Sequence, residues 1–192
     1  LHRATPLPLA ALKATFATMR EGMTSSEFGS NMVAAMERLG CSDSDALVGF
    51  GEYSAFPHGS VQAQKLKEGD IVLLDCGCSV QGYQSDITRT TVFGKPTQRQ
   101  TDIWNLERHA QDAALAAAQV GATCESVDAA ARKVITDAGF GPDYRVPGLP
   151  HRAVHRIGLA GNEGTTCARG QNTTAPPPLA SRPEQTTPTP RP

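Results

Sequence analysis

Two aspartates and the ten residues between them constrain this chain more than any other feature. Ile71-Val72-Leu73-Leu74 is an unbroken apolar run that ends at Asp75-Cys76-Gly77. Gln81-Gly82-Tyr83-Gln84-Ser85-Asp86-Ile87-Thr88-Arg89-Thr90 follows, alternating in character. The first run reads as a buried strand and the second as a strand with one wet face. An antiparallel hairpin centred on Val80-Gln81 sets Asp75 directly opposite Asp86, on one face. Neighbouring strands lie about 4.8 Å apart, and like charges opposed across a ladder repel. A divalent cation between the carboxylates removes that repulsion, which is how two-metal hydrolases use such pairs. Aspartate is also a common turn residue, so the pair alone leaves a plain turn open. The alternation puts Asp86, Thr88 and Thr90 on one face and Ile87 and Arg89 on the other, so Thr88 stands beside Asp86 to orient it. Cys76 and Cys78 point away from Asp75, as small core residues. Gly82 supplies a positive φ or a bulge, since Val80-Gln81 is not a favoured two-residue turn.

Length and charge bound the rest. At 192 residues the chain suits one domain with an appendage. A net charge of −1 gives no electrostatic case for nucleic acid or an anionic membrane. No apolar run approaches the roughly 20 residues that span a bilayer. The chain begins at Leu1 without a basic-then-apolar leader, which reads as a fragment or processed product. Five cysteines at irregular spacing form no paired CxxC set. That composition points to reduced thiols in a cytoplasmic protein.

Four helices are expected. Residues 4–21 carry Leu9, Leu12, Phe16 and Met19 at three- and four-residue steps. Thr24-Ser25-Ser26-Glu27 fits a capping box for a helix reaching Leu39, with Phe28, Met32, Ala35, Met36 and Leu39 inward. After a polar loop, Cys41 to Asp45, the run Ala46–Phe50 reads as a short buried strand. Pro96-Thr97-x-x-Gln100 opens a helix to about Gln119, with Ile103, Leu106, Ala110, Ala113, Ala114 and Ala117 inward and Trp104 packing it onto a sheet. Cys124 to Ala138 forms the last, with Val127, Ala130, Ala131, Val134 and Ile135 inward and Gly139 as its stop.

Three strings together resemble one family. They are Ser54-Ala55-x-Pro57-His58-Gly59, then Asp75-x-Gly77 with Gly82-Tyr83-x-Ser85-Asp86-x-Thr88-Arg89-Thr90, then Pro150-His151-Arg152-Ala153-Val154-His155-Arg156-Ile157-Gly158-Leu159. The set is similar to the creatinase/prolidase/methionine-aminopeptidase superfamily, in its Xaa-Pro peptidase (aminopeptidase P or prolidase) branch, over about residues 1–163. The resemblance implies an α+β pita-bread fold, here incomplete, with a curved antiparallel sheet flanked by helices. It implies a metal-dependent peptidase that cuts a bond next to proline by a metal-bound hydroxide, with methionine aminopeptidase as the alternative enzyme. It assigns Asp75, Asp86 and His155 as metal ligands. It gives His58 a catalytic and substrate-binding role, as an imidazole able to donate to developing oxyanion charge. Two divalent ions (Mn, Co or Zn) serve the intact family, and one or none is expected in this chain. The implied partner is a proline-containing peptide, and a homodimer is compatible.

Departures stand beside the matches. The family string reads Thr-Gly-His-Gly where this chain has Ala153-Val154-His155-Arg156, so bulk and a positive charge replace glycines that let backbone approach a cation. Asn162 occupies the place of a substrate histidine. Beyond residue 163, Thr165 to Pro192 holds half of the prolines, with Leu179 its only aliphatic residue larger than alanine. Residues 164–192 read as a disordered Pro/Thr-rich tail. The two glutamates that complete the family's ligand set are not found there, which suggests a truncated or frameshifted reading. A catalytically inactive module that binds peptides or proteins is the reading from a different class.

Overall fold

The computed structural model describes residues 5–141 together with Gly148, Leu149, Ile157 and Leu159. His151, His155, Asn162 and the Pro/Thr-rich tail lie outside the described residues. Helix α1 (Pro6–Phe16) begins with proline in its first turn, where a missing N–H costs nothing. Its inward stripe is Pro8, Ala11, Leu12 and Thr15. Leu9, expected inward, is 39% exposed. Helix α2 (Ser25–Arg38) starts at Thr24, whose hydroxyl accepts from the Glu27 amide at 3.1 Å. The Glu27 carboxylate pairs with Arg20 at 2.6 Å, so this box is closed on one side by an arginine outside it.

Strand β1 runs Ser42–Phe50, longer than its apolar core suggests. Asp43, at φ 49°, interrupts the ladder near its start, and pairing resumes at Asp45. A short 3-10 turn, Gly51–Ala55, leads into the loop that carries His58. That loop is tied down at its far end. Gln64 Oε1 accepts from the Phe50 amide at 2.8 Å, and the Leu66 amide donates to the Met23 carbonyl at 2.8 Å.

Strands β2 (Ile71–Val80) and β3 (Tyr83–Val92) form the expected hairpin. Gln81 and Gly82 make the turn, both with positive φ (52° and 81°), the backbone that favours two-residue hairpin connections. The sheet is antiparallel in the order β1-β2-β3. One face packs against the helices. Val72, Leu74, Cys76, Cys78 and Ile87 join Leu12, Phe28, Met32, Met36 and Phe50 in the core. Phe28 stacks edge-on with Phe16 at 5.5 Å and lies 6.0 Å from Phe50. Each large side chain fully buried here stabilises the fold by about 1.5–3 kcal/mol. Gly29 lets α2 approach β1, since a Cβ there would stand 3.5 Å from Val48 Cγ2.

Helix α3 (Gln98–Ala117) begins with a reciprocal box. Thr97 N–H donates to Gln100 Oε1 at 2.8 Å, and Gln100 N–H donates to Thr97 Oγ1 at 3.2 Å. Its buried residues are Ala110 and Ala114; Ile103 is 38% and Trp104 50% exposed, against the expectation that both pack inward. Helix α4 (Cys124–Ile135) is capped by Thr123, and Gly139 at φ 88° turns the chain soon after it. The chain divides into two compact units: of the described residues, one holds 5–105 with Ile157 and Leu159, and the other 106–141 with Gly148 and Leu149. The second has its own apolar cluster of Ala110, Ala114, Cys124, Val127, Ala131 and Ile135, with Leu149 packed against it.

Candidate metal and substrate site

The second face of the sheet carries the two aspartates. Asp75 pairs with Thr88, and Asp86 pairs with Gly77. The two aspartates are therefore diagonal neighbours, not directly opposed as the Val80-Gln81 centre predicted. The turn sits one residue later, which moves β3 by two positions against β2. A shift of two keeps every side chain on its face, so Asp75 and Asp86 still share one. Diagonal positions lie about 7–8 Å apart at the backbone, within reach of two carboxylates that converge on one ion.

Thr88 holds Asp75 in place: its hydroxyl donates to Asp75 Oδ1 at 2.5 Å. Thr88 still stands beside Asp86 on the same face, as expected, and the two-residue shift also sets it opposite Asp75. Gly77 lies beside both aspartates, and the room its missing side chain leaves is taken up by neighbouring oxygens. Its other neighbour is Asp45, from β1. A Cβ on residue 77 would stand 2.9 Å from Asp45 Oδ1. Burial first, then the Asp75 charge, raises the Asp45 carboxyl above the ordinary carboxylate range. Asp45 was missed because Cys41 to Asp45 read as loop. Alternation carried back from Leu47 places it on this face.

Cys76 and Cys78 lie on the core side, 2% and 1% exposed. Cys76 Sγ donates to the Ile87 carbonyl at 3.3 Å. Burial, and after it the Asp75 charge, pushes the Cys76 thiol up to about 12. Both side chains are buried on the core side, so the expectation that these cysteines are core residues holds.

His58 is exposed in its loop. The next residue, Gly59, rests on the side chain of Leu47, which a Cβ there would meet at 3.4 Å. Leu47 pairs with Asp75, so the loop crosses the aspartate-bearing face beside Asp75. Among the described residues no group of three or more His, Cys, Asp or Glu is arranged to hold a metal ion. What the face does offer is oxygen donors, one of them pre-oriented by a hydroxyl. That donor set fits a hard divalent cation.

The model of metallopeptidase family M24 matches residues 1–180. The chain belongs to metallopeptidase family M24. Its relatives include an Xaa-Pro dipeptidase of Lactobacillus delbrueckii subsp. lactis, 38% identical over 128 residues, which are 67% of this chain and 33% of that protein. The fold matches an X-Pro aminopeptidase from Thermotoga maritima at TM-score 0.84 and 28% identity, covering 91% of this chain and 49% of that one. It also matches an Xaa-Pro dipeptidase from Bacillus anthracis at TM-score 0.82 and 31% identity, covering 90% and 48%. The fold is thus the pita-bread fold of M24, present in part. The chain spans less than half the length of these M24 relatives. Among the described residues no helix is long and apolar enough to cross a membrane.

Proposed function

We propose that this M24 chain carries the aspartate half of a metal-dependent Xaa-Pro peptidase site. The observation that supports it most is the shared face of Asp75 and Asp86, with Thr88 bonded to Asp75. Asp75 and Asp86 hold a divalent cation, and His155 adds a nitrogen ligand. A bound cation supplies Lewis-acid polarisation of a carbonyl and activation of water. The chain's own groups do the rest. Thr88 keeps one Asp75 oxygen from turning away, so the carboxylate presents a fixed lone pair. His58, on the loop beside Asp75, donates to the carbonyl oxygen of a bound peptide as negative charge grows there.

Mn²⁺ suits the oxygen ligands best, and the histidine tilts the preference toward Co²⁺ or Zn²⁺. The substrate is a short peptide with proline after the scissile bond. Residues 1–163 form the working domain and residues 164–192 a tail outside it. With two aspartates and one histidine, these 192 residues bind one ion and turn over little substrate. An Xaa-Pro dipeptide assay on the purified chain with added Mn²⁺ tests this. Dipeptide binding that needs the metal, without appreciable hydrolysis, is the expected result; metal-independent binding would overturn it.

A peptide-binding module without turnover is the second reading. Arg156 favours it, since a cation next to His155 repels a metal ion. Peptide affinity unchanged by chelator would select this reading over the first.

A further inference from the structure

Strand β1 carries a glycine one residue before its end. A glycine inside a strand weakens it, and one found there often marks the close approach of another stretch of backbone. Gly49 is buried and pairs with Leu73. It lies two residues from Leu47, the partner of Asp75, and so on the aspartate-bearing face. A Cβ on residue 49 would stand 2.8 Å from the Tyr53 carbonyl oxygen and 2.8 Å from Ser54 Cα. Both are backbone atoms, so no side chain can rotate aside to make room. The start of the His58 loop therefore rests directly on Gly49.

The Tyr53 carbonyl that sits on Gly49 is also an acceptor. The Phe56 amide donates to it at 3.2 Å, and the Gly59 amide donates to the Phe56 carbonyl at 3.0 Å. Ser54 Oγ donates to the Gly51 carbonyl at 2.7 Å and closes the first turn. Successive turns thus link the Gly49 contact to the residue after His58. There Gly59 meets the Leu47 side chain. Gly49 and Leu47 give the loop two resting points on one face of β1, about 7 Å apart. Only the first of them requires that a side chain be missing.

We propose that Gly49 is a positioning residue for His58. Having no side chain, it lets the Tyr53–Ser54 backbone sit down on β1, and the turns that follow carry that placement to His58. The consequence for peptide binding rests on the reading of His58 as a donor to a bound peptide. The seating of the loop does not.

Backbone amide order parameters, measured by NMR on the full chain, test the seat. Gly49→Val puts branched bulk, which suits a strand, where the loop backbone lies. Order parameters of residues 53–59 should fall from the rigid range near 0.85 to below about 0.6, while those of residues 71–80 stay rigid. Unchanged values across 53–59, or an equal fall in β2, would overturn the seat. If Gly49→Val does not fold, Gly49→Ala adds the Cβ alone, and the same contrast is expected.

Binding of the dipeptide alanylproline in the presence of Mn²⁺ reads the consequence. Gly49→Val should bind it roughly tenfold more weakly than wild type, the scale of one hydrogen bond. Mn²⁺ affinity should stay within about twofold, since the substituted residue is not a ligand. In a His58→Ala background the same substitution should change dipeptide affinity by less than about twofold, because the group it places is gone. An equal loss in both backgrounds would overturn the positioning role. No dipeptide binding by wild type would sink the peptide reading and leave the order parameters to decide the seat.

Discussion

Thr88 Oγ1 lies 2.5 Å from Asp75 Oδ1 across the β2–β3 ladder, and this bond is the most specific sign that Asp75 is held for a purpose. Thr88→Val keeps the shape and removes the donor. Cation affinity should fall on the order of 10–100-fold, the usual effect of losing a partner behind a metal ligand. Thermal stability without metal should change little. Calorimetric titration of the variant with Mn²⁺ checks both statements when paired with a melting curve.

Asp45 adds a third negative charge beside Gly77, and its carboxyl is raised by burial and by Asp75. Removing that charge should relieve the metal-free fold. Asp45→Asn should raise the stability of the metal-free chain by no more than about 1 kcal/mol, the scale of exposed charge pairs. The gain should shrink at high salt, where surface charges are screened. Urea melts at low and high ionic strength would show it, and a salt-independent gain would point to packing instead.

Cys41 gives the fold an alkaline limit. Burial first, then neighbouring Cys78, pushes its thiol from 9.0 to about 12. Above pH 9 the unfolded chain releases this proton and the folded chain retains it. Stability therefore falls as pH rises from 9.0 toward 12, by up to about 1.4 kcal/mol per pH unit for each proton the fold retains. Below pH 9 the thiol is neutral in both states and contributes no slope. Cys41→Ala should reduce the loss between pH 9 and 11 and leave the part that the Cys76 thiol contributes, measured by urea midpoints at each pH.

The turn can be tested in both directions. Gln81, at φ 52°, occupies a position that asparagine fills more readily. Gln81→Asn should stabilise the hairpin by a few tenths of a kcal/mol, within the span between residues at such positions. Gly82→Val, at φ 81°, should cost about 1–2 kcal/mol or more. Urea unfolding of the two variants should move their midpoints in opposite directions.

Much of the site could be read from residue order because face depends only on parity. The expected turn was one residue early, and the resulting shift of two left Asp75, Asp86, Cys76 and Cys78 on their expected faces. Register itself was not legible. It was decided by which pair of residues would accept a positive φ, and Gln81-Gly82 won over Val80-Gln81. Asp45 was hidden by its company, since Ser42-Asp43-Ser44-Asp45 has the composition of a loop. The left-handed Asp43 supports that view locally, while pairing with β2 draws Asp45 into the sheet. Trp104 and Ile103 were expected to pack inward and stand about half and a third exposed. Periodicity sets out an apolar stripe, but it does not supply what covers it.

The most direct test is a calorimetric titration of the purified chain with Mn²⁺, beside Asp86→Ala. The predicted result is saturable binding of about one ion to the wild-type chain that disappears in the variant, as expected if Asp75 and Asp86 share one cation. Binding that survives Asp86→Ala, or no binding by either protein, would contradict the assignment of this face as the metal site.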